Sequence, residues 1–249
     1  MMVILDADQT ATLREWFLPD RPGPAIGLHL IHSGHGQCRV DHWPEPRVAI
    51  VNTGMNYSLA GDPAYLEPAA LQEIIGFVEV PLAFQPLIEA TFPKAAIWER
   101  IIYQLTESPR PQPRTAAIRP LTSDDLPQLQ TISADLAWIS TTWGNVEKMA
   151  QSGYAWGAFV NGRLASIANT FFVGATYEDI GVVTEAEYRG QGLSAACVQA
   201  LCTDIQQRGR TPSWTTSLDN IASQRVAEKV GFTFERYDRL YALNTQLPS

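Results

Sequence analysis

The chain has 249 residues, 45% hydrophobic and 18% charged, which suits a folded protein of one large domain or two smaller ones. Its net charge of −8 is spread along the whole sequence and argues against nucleic acid as a partner, since a nucleic-acid binder presents a basic face. Three cysteines make no disulfide framework, no apolar run approaches the roughly 18 residues of a membrane span, and the early acids Asp6 and Asp8 are unlike a secretion signal, so a protein of the reducing cytoplasm, away from membranes, is expected.

In the N-terminal part, residues 26–32 and 37–43 read as strands pairing around Ser33-Gly34-His35-Gly36, with a further strand at 47–52. Residues 68–77, 83–92 and 95–105 read as helices. This part is α/β in class and carries no motif with chemistry in it. His29, His32, His35, Cys38 and His42 form a tempting ligand set. Yet residues 29 and 32 of one strand face opposite sides, and a Ser-Gly-His-Gly turn accounts for His35, so no metal is expected.

The clearest break is Ser108-Pro109-Arg110-Pro111-Gln112-Pro113-Arg114-Thr115. Alternating prolines fix φ and remove donors, so residues 108–115 read as an extended linker between a domain at 1–107 and a second at 116–249.

The second domain opens with a strand at 117–121. Thr122 is placed to cap a helix with Asp124 and Asp125 in its first turn and Leu126, Leu129 and Ile132 on one face. Residues 153–160 and 164–173 flank Asn161-Gly162, a strong signal for a hairpin with a type I′ turn. Residues 176–184 form a third strand. A helix over Leu193–Gln207 follows, with Leu193, Cys197, Leu201 and Ile205 at a spacing of four, ending at Arg208-Gly209. Then come a strand at 211–216, a helix at 220–230 stopped by Gly231, and final strands at 232–243. The order β-α-(α)-β-β-β-α-β-α-β describes a mixed, mostly antiparallel α/β (α+β) sheet flanked by helices.

The most informative run is Glu187-Tyr188-Arg189-Gly190-Gln191-Gly192-Leu193-Ser194, between a strand and an amphipathic helix. Two glycines let the turn expose its N–H groups, and the helix start adds further unpaired N–H groups and the positive end of a dipole. Together these make a seat for phosphate. The run lacks the Gly-Lys-Ser/Thr of a nucleotide triphosphate loop. Gly190-Gln191-Gly192-Leu193-Ser194-Ala195 fits a dinucleotide fingerprint literally, but Ser213–Ser217, where the ribose-binding acid would stand, contains none.

Arg189-Gly190-Gln191-Gly192-Leu193-Ser194 resembles the R/Q-x-x-G-x-G/A signature of the GNAT superfamily of N-acetyltransferases. Asn220-Ile221-Ala222-Ser223-Gln224-Arg225-Val226-Ala227-Glu228-Lys229-Val230-Gly231-Phe232 resembles the family's second signature. The strand order agrees, over about residues 115–245. The resemblance implies acetyl-CoA as cosubstrate. Its pyrophosphate would meet the backbone N–H groups of Gly190, Gln191, Gly192, Leu193 and Ser194, with Arg189 adding charge. The backbone of Val182, Val183 and Thr184 would pair with the pantetheine arm like an extra strand. Asn220 has two readings, a side-chain bond to pantetheine or the cap of the following helix.

The implied reaction is direct attack by a primary amine, of a small molecule or peptide, on the thioester. No metal is required. An amine must first lose its proton. Glu178, on the same strand face as Ile180 and Val182, is the candidate base. Where the family often has a tyrosine acid, this chain has Ala227, so Tyr237 and Tyr241 are the candidate acids. That departure motivates a rival of another class, an acyl-CoA-binding sensor or scaffold without turnover. Cys197 and Cys202 read as core. Trp138, Trp143 and Trp156, with Tyr154 and Phe171, read as core or as lining for an apolar or cationic acceptor. For the N-terminal part three readings stand open: a cap over the acceptor site, a degenerate copy of the same fold, or a surface that makes a homodimer.

Overall fold

The computed structural model describes residues 2–113 and 116–247. The chain folds as two compact units. The first comprises Met1–Pro19, Ile26–Arg100 and Tyr237–Ser249, and the second Asp20–Ala25 and Ile101–Arg236. The boundary thus falls inside a strand rather than at 108–115. Residues 108–113 form no helix or strand and are fastened to the second unit: Arg110 N donates to Val230 O at 2.7 Å and Gln112 N to Gln199 Oε1 at 2.9 Å. Positions 114 and 115 of the expected linker lie outside the described residues.

In chain order the first half supplies β1 (Val3–Leu5), α1 (Ala7–Thr12), α2 (Ile26–Ser33), β2 (Gln37–Val40), β3 (Val48–Thr53), β4 (Asn56–Gly61), α3 (Pro68–Gln72), β5 (Gly76–Glu79), α4 (Gln85–Thr91) and β6 (Ala96–Gln104). The second half supplies β7 (Ala117–Pro120), α5 (Leu126–Leu129), α6 (Val146–Gln151), β8 (Ala155–Val160), β9 (Arg163–Val173), β10 (Tyr177–Thr184), α7 (Leu193–Gln207), β11 (Thr211–Ser217), α8 (Ile221–Val230) and β12 (Thr233–Leu243). The two lists follow the same order of strands and α-helices.

In the first unit the strands run β1-β2-β3-β4-β5, followed by β12. In the second they run β7-β8-β9-β10-β11, followed by β6. Each ladder described is antiparallel except β4 with β5 and β10 with β11. Each unit therefore takes its sixth strand from the other half of the sequence. Val48, Ile50, Leu71, Ile74, Phe84 and Ile88 anchor the core of the first unit. The second unit buries Cys197, Leu201, Ile205 and Trp214 on one face of its sheet and Leu129, Ile139, Met149 and Ile167 on the other.

Most expected elements of the second half form, although the helix expected to include Ile132 is a 3₁₀ turn followed by a short α5 that ends at Leu129. Asn161 (φ +49°) and Gly162 (φ +80°) make the left-handed turn between β8 and β9. Thr122 and Asp125 close a reciprocal cap. Asn220 caps α8 by accepting from Ser223 N at 3.0 Å, and Gly231 (φ +113°) ends it.

The first half differs in three places. Residues 26–33 form helix α2, with Ile26 through Leu30 buried in succession; a helix buried on most sides loses the stripe that would have revealed it. The helix expected at 68–77 ends at Gln72, and its last two residues fall in β5. Residues 96–104, read as a helix, form β6. Buried Arg100 there is ion-paired with Asp238, a partner that periodicity could not indicate.

Candidate functional site

In the second unit β10 stays paired with β9 to its end, at Thr184↔Ser166, but its parallel ladder with β11 stops at Ile180↔Trp214. The β11-side edge of residues 181–184 is an open strand edge. Val183 and Thr184 are fixed from behind: Ser166 Oγ donates to Val183 O at 2.7 Å and lies 2.8 Å from Thr184 Oγ1. β9 carries one extra residue, Phe171, opposite the Asp179–Ile180 step. A bulge of this kind bends the local strand pair.

The chain leaves this edge through one 3₁₀ turn, Ala186–Tyr188, and reaches the glycines. Gly190 (φ +77°) and Gly192 (φ +79°) are both left-handed. A Cβ on Gly190 would meet nothing within 4 Å, and one on Gly192 would approach only Lys229 Nζ, at 3.7 Å. Gly192 caps α7 with no side-chain acceptor. The helical ladder begins with Ala196 N donating to Gly192 O at 3.1 Å, so the N–H groups of Leu193, Ser194 and Ala195 have no intrahelical partner. The geometry suits an anion: bare backbone donors, a dipole end, and no side chain to fill the space before them. A coenzyme with a pyrophosphate and an amide-bearing arm fits this turn and the open edge beside it.

Arg189 is committed to the protein. Its Nε donates to Thr184 O at 3.2 Å, and Nη2 lies 3.8 Å from Asp135. Glu185 holds the other side of the turn by accepting from Ser133 N at 2.9 Å and Ser133 Oγ at 2.5 Å. Asn220 points its Oδ1 at the helix it caps, the second of its two expected roles.

Of the three expected catalytic side chains, Glu178 and Tyr241 need correction. Glu178 does lie on β10, but it is wholly buried. Arg208 binds both its oxygens at 3.0 and 2.8 Å, Arg210 reaches Oε1 at 3.1 Å, and Thr170 donates to Oε2 at 2.5 Å. With no exposure and both oxygens engaged by Arg208, Arg210 and Thr170, the carboxylate is out of reach of an incoming amine. Glu178 fastens the start of β10 to the end of α7 instead. Tyr237 and Tyr241 belong to the first unit and the glycine turn to the second. Tyr241 is buried in the first unit's core and its hydroxyl donates to Glu89 at 3.3 Å; burial first, then the Glu89 charge, raises its pKa. Tyr241, buried and bonded to Glu89, is not free to serve as the acid.

Cys197 and Cys202 are buried, and burial pushes the Cys197 thiol up to about 12. His29 is buried within α2. Trp143 stacks on Tyr154 and donates to Thr170 O at 2.9 Å, and Trp156 donates to Asp204, so both are structural. Trp138 is exposed and meets Phe171 edge-on. Lys229 was overlooked in the sequence although it stands inside the second signature; only its place beside Gly192 reveals it.

Residues 24–241 match the GNAT acetyltransferase family model. The chain is 38% identical over 199 residues to an uncharacterized N-acetyltransferase in the mutA 5′ region of Streptomyces virginiae, covering 78% of this chain and 84% of that one. It is 26% identical over 107 residues to the uncharacterized N-acetyltransferase YdfB of Bacillus subtilis, covering 43% and 41%. Its fold is that of a GCN5-related N-acetyltransferase-like protein from Streptococcus suis, with TM-score 0.69, 21% identity, and 95% and 98% of the two chains covered. A tandem GNAT protein from the clavulanic acid biosynthesis pathway shares the fold at TM-score 0.59 and 13% identity, over 100% and 99% of the chains. No helix among the described residues is long and apolar enough to cross a membrane. With two signatures, the strand order and a family match over most of its length, the chain belongs to the GNAT acetyltransferase family.

Proposed function

We propose that the protein transfers an acetyl group from acetyl-CoA to a primary amine. The observation that carries this reading is the pairing of an open β10 edge at Gly181–Thr184 with the uncapped glycine turn at its end. Backbone N–H groups at 190–194 hold the pyrophosphate. The edge at Val182, Val183 and Thr184 pairs with the amides of the arm, which brings the thioester to the place where β10 and β11 part. There the amine attacks the carbonyl carbon. A C–N bond forms and the C–S bond breaks, the nitrogen gives up its proton, coenzyme A leaves as the thiol, and a strand N–H meets the developing oxyanion. The acceptor is a small molecule or a peptide amine. Exposed Trp138 against Phe171 supports an acceptor with apolar or cationic character.

The test is thermal unfolding with and without acetyl-CoA, with NAD and ATP as controls, followed by release of free thiol in an amine panel. Acetyl-CoA at about 100 times its Kd adds about 2.7 kcal/mol of stability, a shift of several degrees. A shift with NAD alone would overturn the reading.

A further inference from the structure

We infer that the Lys229 ammonium is the side-chain cation of the phosphate seat, set over Gly192 to face a bound pyrophosphate. The inference rests on the coenzyme reading above and adds a residue to it. Lys229 Nζ lies 3.7 Å from the point that a Cβ on Gly192 would occupy. The space that the glycine leaves open is therefore the space in front of this ammonium.

Lys229 is also the uncommitted cation at the turn. Arg189 spends its guanidinium on Thr184 O and on Asp135. Lys229 is exposed and, among the described residues, makes no ion pair with a carboxylate. Its backbone is fixed: Ala227 and Val230 on either side are buried in the core, and Lys229 O accepts from Gln112 Nε2 at 3.2 Å. The helix thus delivers the base of a flexible side chain to one place. The chemistry calls for such a group. A pyrophosphate brings two negative charges to a chain of net charge −8, while the start of α7 supplies only about half a positive charge. An ammonium, a compact charge with three donors, supplies the difference without demanding one orientation of the phosphates.

The rival role is the ordinary one for a lysine in the last turn of a helix, complementing the dipole of α8. That role acts on stability and not on ligand affinity. Calorimetric titration of the full chain with coenzyme A and with 3′-dephospho-coenzyme A separates the two, using wild type, K229A, K229R and R189A. K229A is expected to weaken both ligands about tenfold, equivalent to about 1.4 kcal/mol. The deficit should shrink in high salt. K229R should keep most of the affinity, and R189A should lose less than K229A. Wild-type affinity in K229A overturns the inference, and a lowered melting temperature of that ligand-free variant then assigns the lysine to the helix end. A loss confined to the ligand with the 3′-phosphate moves the ammonium to the ribose and overturns the pyrophosphate assignment. If wild type binds neither ligand, the coenzyme reading fails and this inference falls with it.

Discussion

The fourth strand of each unit ends in a turn before a helix, and the two turns differ in the property that matters. In both units the fourth strand outruns its parallel ladder with the fifth: β4 pairs with β5 only to Ser58↔Glu79, and β10 with β11 only to Ile180↔Trp214. After β10, both glycines look into open space or toward an ammonium. At the end of β4, Gly61 (φ +91°) is a glycine of necessity, since a Cβ there would lie 2.2 Å from Arg47 O. The next residue, Asp62, already accepts from Ala64 N at 2.9 Å, and Pro63 and Pro68 donate nothing. α3 then runs for five residues against fifteen in α7. In the first unit Asp62 caps a short 3₁₀ turn, Pro63–Tyr65, that stands between β4 and α3, whereas the turn after β10 leads into α7 with no side-chain cap.

The comparison can be broken hardest at the second rung of each parallel ladder, where the first unit has Tyr57 and the second has buried Glu178. Glu178→Ala leaves Arg208 and Arg210 beside an emptied anion site and should cost about 3 kcal/mol, read by urea denaturation. A loss within 0.5 kcal/mol, roughly that of a neutral surface change, would deny the clasp. Next in size, Gly192→Val forces a β-branched residue into a left-handed backbone and puts methyls before the exposed amides. Coenzyme A affinity should fall tenfold or more, about 1.4 kcal/mol, in a protein whose circular dichroism is unchanged. Unchanged affinity would move the ligand elsewhere.

The matching change in the first unit is Asp62→Ala. It removes a cap worth about 1 kcal/mol but should leave coenzyme A affinity as it was. An affinity change there would give the first turn a role that its satisfied donors do not suggest. The smallest effect is a silence. Cys38 and Cys197, with thiols pushed by burial up to about 11 and about 12, should not react with a thiol reagent at neutral pH until the protein is unfolded. Labelling of the native protein would show that the core opens.

Legibility followed locality. Asn161-Gly162, Thr122 with Asp125, Asn220 and Gly231 each act on their own few residues, and each sits where its chemistry placed it. The glycine turn was readable for the same reason. Glu178 was placed on the correct strand, but its partners Arg208 and Arg210 stand 30 and 32 residues away, and only the fold brings them together. Residues 96–104 carry Glu99 and Arg100 among apolar neighbours, a pattern that a helix and a buried strand share. What decides for the strand is a place in a sheet beside β11, and Arg100 waits for Asp238 near the other end of the chain.

The exchange of sixth strands has a consequence for what can be inherited or engineered as a piece. A cut at 108–115 looks like a clean division between two modules. It would strip Ile101–Gln104 from the unit that holds the glycine turn and Tyr237–Leu243 from its counterpart, leaving each fragment a sheet with a missing member. Each unit of this fold is assembled from segments that are not contiguous in the sequence. Fragments made at that cut should be insoluble when expressed singly and recover folded protein when expressed together.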